Sequence, residues 1–528
     1  MLQVNNIGLR FSSRVLFENV NLKFDKGNCY GLIGANGAGK STFLKILYGE
    51  IEPTSGEVIL GKDERISVLE QNHNKFNDLT VLETVMRGNT KLYEIIKAKE
   101  EVYSRNPFTE ADGILAGELE ATFADMDGWI AEADAATLLM GLGIETETHH
   151  MLMGDLKDSV KVKVLLASAL FGEPDILLLD EPTNGLDTYA KLWLEEWLIN
   201  FKNTVIVVSH DRHFLNNVCT HMVDIDFSKI TMFIGNYDFW YESSQLIQKQ
   251  MRDANKKKED KIKELQDFIA RFSANASKSK QATSRKKLLE KIELDDIKPS
   301  NRKYPYINFE MERPIGNEVM ELKGINYAHE GKVLLKNVAI NVNKGDKIAI
   351  VGHNELAKTA LFKIIASEIT DYTGYFKAGA TVKISYFAKD HDNYFQDNKN
   401  LRDWLQDYSN VKEEAFVRGF LGRMLFSGEE ALKSVKVLSG GEKVRSMLAK
   451  IMLEGANVLV MDEPTNHLDI ESITALNKGM EEFKGVILFA TNDHELIETV
   501  ANRIIEIKDD GTIIDRYMSY NEYLNLNK

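Results

Sequence analysis

Short apolar runs punctuate the first half of the chain: Tyr30-Gly31-Leu32-Ile33, Ile176-Leu177-Leu178-Leu179 and Val205-Ile206-Val207-Val208. Their length and continuous apolar character predict strands buried on both faces. Between them lie segments of helical type, one opened by Phe43-Leu44-Lys45-Ile46-Leu47. Strands alternating with helices predict a parallel-rich sheet covered by helices, an α/β fold. In such a sheet a ligand sits at the carboxyl ends of the strands. Asp180 and Glu181 end one apolar run and His210 follows another, so these residues are expected to converge.

The pattern occurs twice. Ile348-Ala349-Ile350-Val351, Val458-Leu459-Val460-Met461 and Ile487-Leu488-Phe489-Ala490 repeat the three strands, and Leu361-Phe362-Lys363-Ile364-Ile365 the helix. Spacings match as well. Lys40 to Gln71 and Lys358 to Lys389 are both 31 apart; Leu156 to Glu181 and Leu438 to Glu463 are both 25 apart; Glu181 to His210 and Glu463 to Asn492 are both 29 apart. Only Gln71 to Leu156, at 85 against 49 for Lys389 to Leu438, departs. Two tandem copies of one domain follow, at 1–240 and 315–528, with an insertion in the first within about 76–150, narrowed to Leu92–Gly128.

The turn between the first strand and helix reads Gly34, Ala35, Asn36, Gly37, Ala38, Gly39, Lys40, Ser41, Thr42. Strand, glycine-rich turn and helix form the context of a phosphate-binding loop. Glycines let the backbone wrap a phosphate with N–H groups, and the helix N-terminus adds partial positive charge. Lys40 can reach the β- and γ-phosphates and Ser41 can hold Mg²⁺. A glycine turn preceding a helix by accident would not carry Lys-Ser-Thr in register, nor be followed by an acidic strand end.

With 528 residues the chain is too long for one core. Its 44 % apolar and 27 % charged residues are those of an ordinary globular protein. No apolar run spans a bilayer, so a transporter built by this chain alone is excluded. Cys29 and Cys219 form no disulfide framework and suit a reducing, cytoplasmic setting. The net charge of −15 argues against nucleic-acid binding over the whole surface, though not through a local basic patch. Such a patch is predicted between the copies. Residues 241–300 read as an antiparallel helical hairpin, with Leu265, Phe268, Ile269 and Phe272 on one apolar face and a bend at Ser273–Ser277. Around the bend stand Arg271, Lys278, Lys280 and Arg285 with few acids. Two readings stay open there: a solvated coiled-coil end and a contact with the RNA backbone.

Two phosphate loops, two Asp-Glu-Pro-Thr-Asn stretches (Asp180–Asn184 and Asp462–Asn466) and Leu438-Ser439-Gly440-Gly441-Glu442 resemble the ATP-binding cassette superfamily. Tandem cassettes, no membrane segment and a charged helical linker are similar to its ABC-F group of translation factors, in particular the YbiT-like branch. The linker stretch Arg271–Arg285 carries that likeness, and the insertion resembles that group's arm. The resemblance implies an ATPase that binds ATP and Mg²⁺ between its cassettes, a monomer with intramolecular pairing of the two. It also implies a seat in the ribosomal exit (E) site, with Arg271, Lys278, Lys280 and Arg285 turned to rRNA and P-site tRNA.

By the same resemblance, each site joins one phosphate loop to the other copy's Leu-Ser-Gly-Gly stretch. The first would unite Lys40, Ser41, Asp180, Glu181 and His210 with Ser439, Gly440, Gly441 and Glu442. Asp180 and Gln71 would serve the Mg²⁺ shell, Glu181 would polarise water, His210 would stabilise the γ-phosphate, and Phe11 would stack on adenine. The second comprises Gly352, His353, Asn354, Glu355, Leu356, Ala357, Lys358 and Thr359, with Thr359 and Asp462 for the metal, Glu463 as the catalytic carboxylate and Tyr327 for the base. It departs from the pattern: Glu355 and Ala357 replace loop glycines, Lys389 the glutamine, Lys157-Asp158-Ser159 the covering Ser-Gly-Gly, and Asn492 the histidine. A non-glycine residue in the left-handed region costs about 1–2 kcal/mol, so strain is expected at Glu355 and Ala357. Glu355 and Asp158 would also set carboxylates near phosphate oxygens. Hydrolysis is therefore expected mainly at the first site, with the second silent or weakly binding. Alternatives are a cytosolic subunit of a transporter, an antibiotic-resistance factor protecting the ribosome, and a DNA-maintenance ATPase. The last would call for a zinc motif or long coiled coil, and the sequence has neither.

Overall fold

The computed structural model describes residues 1–11, 14–62, 64–226, 228–272 and 302–526. Packing divides them into two units, one of Met1–Pro182, Leu194–Ser209 and Phe214–Asn301, the other of Thr183–Trp193, His210–His213 and Arg302–Lys528.

In the first copy six strands lie in the order Ile66–Val68, Ile176–Asp180, Thr204–Val208, Cys29–Gly34, His221–Asp226, Lys229–Ile234. Neighbours run parallel except the last pair. A separate antiparallel sheet orders Arg14–Phe24, Leu2–Phe11, Ser55–Ile59. The second copy repeats both: Ile384–Phe387, Val458–Asp462, Val486–Ala490, Lys347–Val351, Arg503–Ile507, Ile513–Arg516 in one sheet, and Lys332–Val342, Met320–His329, Thr373–Ala378 in the other. Two strands that are remote in sequence thus flank each central strand. This places the ends at Gly34, Asp180 and Val208 on one edge, and those at Val351, Asp462 and Ala490 on another.

The uninterrupted apolar runs have a direct explanation. Val458 and Val460 enter a core shared with the antiparallel sheet and the helix Glu355–Ile365, through Leu322, Ile340 and Leu361. Leu459 and Met461 point to the opposite face, into a core with Trp404, Val444 and Met447. Side chains alternate along a strand, so a strand covered on both sides has no polar positions.

The insertion in the first copy is helical. Thr90–Ser104 and Glu110–Asp125 pack together through Lys99–Glu120 at 2.8 Å and Arg105–Asp112 at 2.9 Å. After the last strand of the first copy a single helix runs Tyr237–Phe272. The predicted bend at Ser273–Ser277, the second hairpin arm, Lys278, Lys280 and Arg285 lie outside the described residues, as does the side chain of Arg271. Residues 302–319 carry no long element, yet they are anchored: Ile307 and Phe309 are buried in the second copy's core. Among the described residues no helix is long and apolar enough to cross a membrane.

Candidate functional site

In the first copy the strand Cys29–Gly34 is fully buried and delivers the chain to an open turn. Gly37 has φ of 75° and Gly39 of 105°, so both lie where only glycine is at ease. The turn closes through the Ala38 amide, which donates to the Ala35 carbonyl at 3.0 Å. The helix then begins at Lys40, with Gly39 as its N-cap. Lys40 is buried and its ammonium donates to the Gly34 carbonyl at 2.8 Å, which holds the charge at the mouth of the turn.

Across the sheet, Gln71 Nε2 donates to Asp180 Oδ2 at 2.9 Å. Ser41, Gln71 and Asp180 line one cavity of about 590 Å³. A hydroxyl, an amide and a carboxylate, all oxygen donors converging beside a phosphate loop, form the ligand set that suits Mg²⁺. Glu181 follows at φ 52°, and its amide donates to the Val208 carbonyl at 2.8 Å. This left-handed kink is repeated at Glu463, also φ 52°, whose amide donates to Ala490 at 2.9 Å. Strain of this kind gathers at functional positions. The first copy therefore brings together Gly34–Thr42, Gln71 and Asp180, with Glu181 next in the chain. His210 follows the strand Thr204–Val208 in sequence and belongs to the other unit. The side chain of Phe11 is not among those described.

The Leu-Ser-Gly-Gly stretch is built as a helix start. Ser439 caps the helix Gly440–Glu454, its hydroxyl accepting from the Glu442 amide at 3.4 Å. Glu442 returns a carboxylate to the Ser439 amide at 2.8 Å, and it pairs with Lys433 at 2.8 Å. Burial works against ionisation of Glu442; Lys433 and the capping bonds outweigh it and hold the carboxyl below its usual range. The cap leaves the amides of Gly440 and Gly441 at the helix N-terminus, the geometry that suits an anion. Its counterpart has no such cap: the helix Asp158–Leu170 starts after Lys157 without a side-chain bond.

The second phosphate loop differs from the expectation. Neither Glu355 nor Ala357 has positive φ. The chain avoids the strain by winding the loop into its helix, which starts at Glu355 and runs to Ile365. Lys40 opens the first helix, whereas the equivalent Lys358 sits one turn inside the second. Asn354 caps the early start, accepting from the Ala357 amide at 3.2 Å. Thr359 still donates to Asp462 Oδ2 at 2.6 Å, so part of the metal set survives. Lys389, in the glutamine's place, pairs with Glu355 instead of the aspartate. Glu355 also pairs with Lys358 at 3.0 Å. Asn492 Nδ2 reaches Glu463 Oε1 at 3.4 Å. Burial, and then the charge of Glu355, push the Glu463 carboxyl up to about 7. Tyr327 stands half-buried on the antiparallel sheet beside His329. The ion pairs of Glu355 were not visible in sequence, because their partners are set by the fold; a glutamate in the loop and a lysine in the glutamine's place were the readable signal.

The family model described as "ABC transporter" matches residues 17–184 and 335–466, and a further model of the same description matches 223–309. The chain is 61 % identical over 99 % of its length to the uncharacterized ABC transporter ATP-binding protein YkpA of Bacillus subtilis, covering 97 % of that protein. It is 42 % identical to the probable ATP-binding protein YbiT of Escherichia coli O157:H7, with 99 % of each covered. It is 32 % identical to the ABC transporter ATP-binding protein ARB1 of Saccharomyces cerevisiae over 97 % of this chain and 85 % of that one. Solved structures share the fold. The RNase-L Inhibitor aligns with a TM-score of 0.60 at 17 % identity, over 99 % of this chain and 92 % of that one. The archaeal ribosome recycling factor aABCE1, solved with stalk protein aP1, aligns with a TM-score of 0.61 at 17 % identity over the same shares.

Proposed function

Because the chain belongs to the ABC-F family of ATP-binding cassette proteins, and is thereby an ATP hydrolase, we propose that it is a cytoplasmic translation factor. In this reading it engages the ribosomal E site in its ATP-bound state and leaves on hydrolysis, mainly at the first composite site. The observation that carries this reading is the intact phosphate nest of the first cassette, Gly37 and Gly39 at positive φ with Lys40 behind them, faced by the Gln71–Asp180 pair. The ribosomal target rests on the kinship with ABC-F proteins and on the basic residues Arg271, Lys278, Lys280 and Arg285. Fold neighbours include factors named for ribosome recycling.

ATP and Mg²⁺ fit the first site. Bound Mg²⁺ would neutralise charge on the phosphate oxygens, held by Ser41 and Asp180 with Gln71 beside them. Lys40 presents its ammonium to the β- and γ-phosphates. Glu181, aimed by its kinked backbone, accepts a hydrogen bond from the attacking water and orients it. By kinship with cassette proteins, Ser439, Gly440 and Gly441 would supply amides to the γ-phosphate and His210 would donate to it. ATP would then act as a switch between two states of the molecule.

Sedimentation tests the reading. A Glu181→Gln chain with ATP is expected to pellet with ribosomes, and neutralising Arg271, Lys278, Lys280 and Arg285 together should weaken that binding at least tenfold. A trapped chain that stays at the top of the gradient overturns it. Co-fractionation with membrane vesicles instead would favour the transporter-subunit alternative.

A further inference from the structure

We propose that Glu355 is a resident anion in the phosphate seat of the second cassette, and that it closes this cassette to the triphosphate of Mg-ATP. The inference rests on the reading above, that turnover belongs to the first site, and adds the residue that makes the two sites unequal.

The backbone comes first. A phosphate nest needs successive amides turned inward by left-handed residues. In the first cassette Gly37 and Gly39 supply them; in the second those positions are Glu355 and Ala357, wound into the first turn of Glu355–Ile365. The amides of Ala357 and Lys358 are already engaged, both donating to Asn354. Leu356 stands 57 % exposed at the crest, an apolar side chain where the first loop carries Ala38.

The charges follow. Glu355 Oε1 accepts from Lys358 at 3.0 Å, and Oε2 is paired with Lys389. One carboxylate thus bridges the lysine that would hold the phosphates and the residue that replaces the glutamine. The two departures answer each other: a carboxylate gained in the loop is matched by an ammonium gained across the sheet. Lys358 is only 5 % exposed, which shelters its end of the pair, while the side chains of Glu355 and Lys389 are each 40 % exposed and their pairing is screened more. Burial alone would favour a protonated Glu355; the two lysines outweigh it and keep the carboxylate ionised. An incoming triphosphate has to displace that carboxylate from both ammonium groups and then meets it as a like charge.

The test uses the full chain with Mg²⁺ and a photoactivatable ATP analogue, the labelled peptides being located by mass spectrometry. With the photoactivatable group on the adenine, wild-type protein is expected to label peptides around Phe11 and none around Tyr327. Glu355→Gln keeps the helix and removes the charge; it should raise second-cassette labelling at least tenfold. Glu355→Gly combined with Ala357→Gly, which restores both loop glycines, should raise it further. First-cassette labelling of each variant reports that the chain is folded. The proposal is overturned by wild-type protein that labels both cassettes alike, or by folded variants whose second cassette stays unlabelled. Sedimentation separates this from the ribosomal reading: a trapped chain that pellets with ribosomes yet labels both cassettes keeps the function and loses the resident anion.

Discussion

Glu463 shows how one side chain can carry the condition of a whole site. Its carboxyl ionises near 4.5 in an unfolded chain and at about 7 in the folded one, chiefly because it is buried and then because Glu355 is charged nearby. Between these values the native state holds a proton that the unfolded state has lost. The contribution to stability is therefore fully present below 4.5 and disappears as pH rises through 7. The window corresponds to at most about 3 kcal/mol. Glu463→Gln cannot titrate, so its loss of unfolding free energy between pH 5 and pH 8 should be smaller than that of wild type by up to about 3 kcal/mol. Urea unfolding at the two pH values measures the difference. An unchanged pH slope would mean that Glu463 is already ionised at neutrality.

At the scale of the element, the two phosphate-loop helices and the capped helix Gly440–Glu454 show how local sequence sets a start point. Gly441 is there for space: a Cβ on it would stand 2.8 Å from the His467 carbonyl oxygen. Backbone cannot yield as a side-chain tip can, so Gly441→Ala should cost about 1–3 kcal/mol. Gly419, inside the helix Glu414–Arg423, offers the contrast, because a Cβ there meets nothing within 4 Å. Gly419→Ala should stabilise by about 0.5–1 kcal/mol, the usual gain of alanine over glycine in a helix. Thermal or urea unfolding of the pair checks both signs. Much of this level was legible in the chain. Apolar runs marked the strands at Ile176–Asp180 and Val458–Asp462, and Ser439 with Glu442 three residues on is a readable cap. The strain expected at Glu355 and Ala357 was not found. A loop that lacks glycine has another way out, which is to become helix, and Asn354 was in place to cap it.

For the whole molecule, the asymmetry between the cassettes has a kinetic consequence. With the intact nest in the first cassette alone, Glu181→Gln should lower the ATP turnover of the full chain at least a hundredfold, whereas Glu463→Gln should lower it less than twofold. Steady-state phosphate release distinguishes them, and equal losses in the two variants would show that both sites turn over. The duplication and its offset could be read from the chain alone, since each is a local pattern and its spacing repeats. The departures in the second copy could be read too, but not their outcome. Whether Glu355 repels a phosphate or replaces one depends on where Lys389 lies, 34 residues further on. The parallel sheet decides that, by bringing the ends of Lys347–Val351 and Ile384–Phe387 to the same edge. Spacing along a chain reports what each residue is; an ion pair across a sheet exists only once the strands between its partners have been ordered, and that order is a property of the packed core.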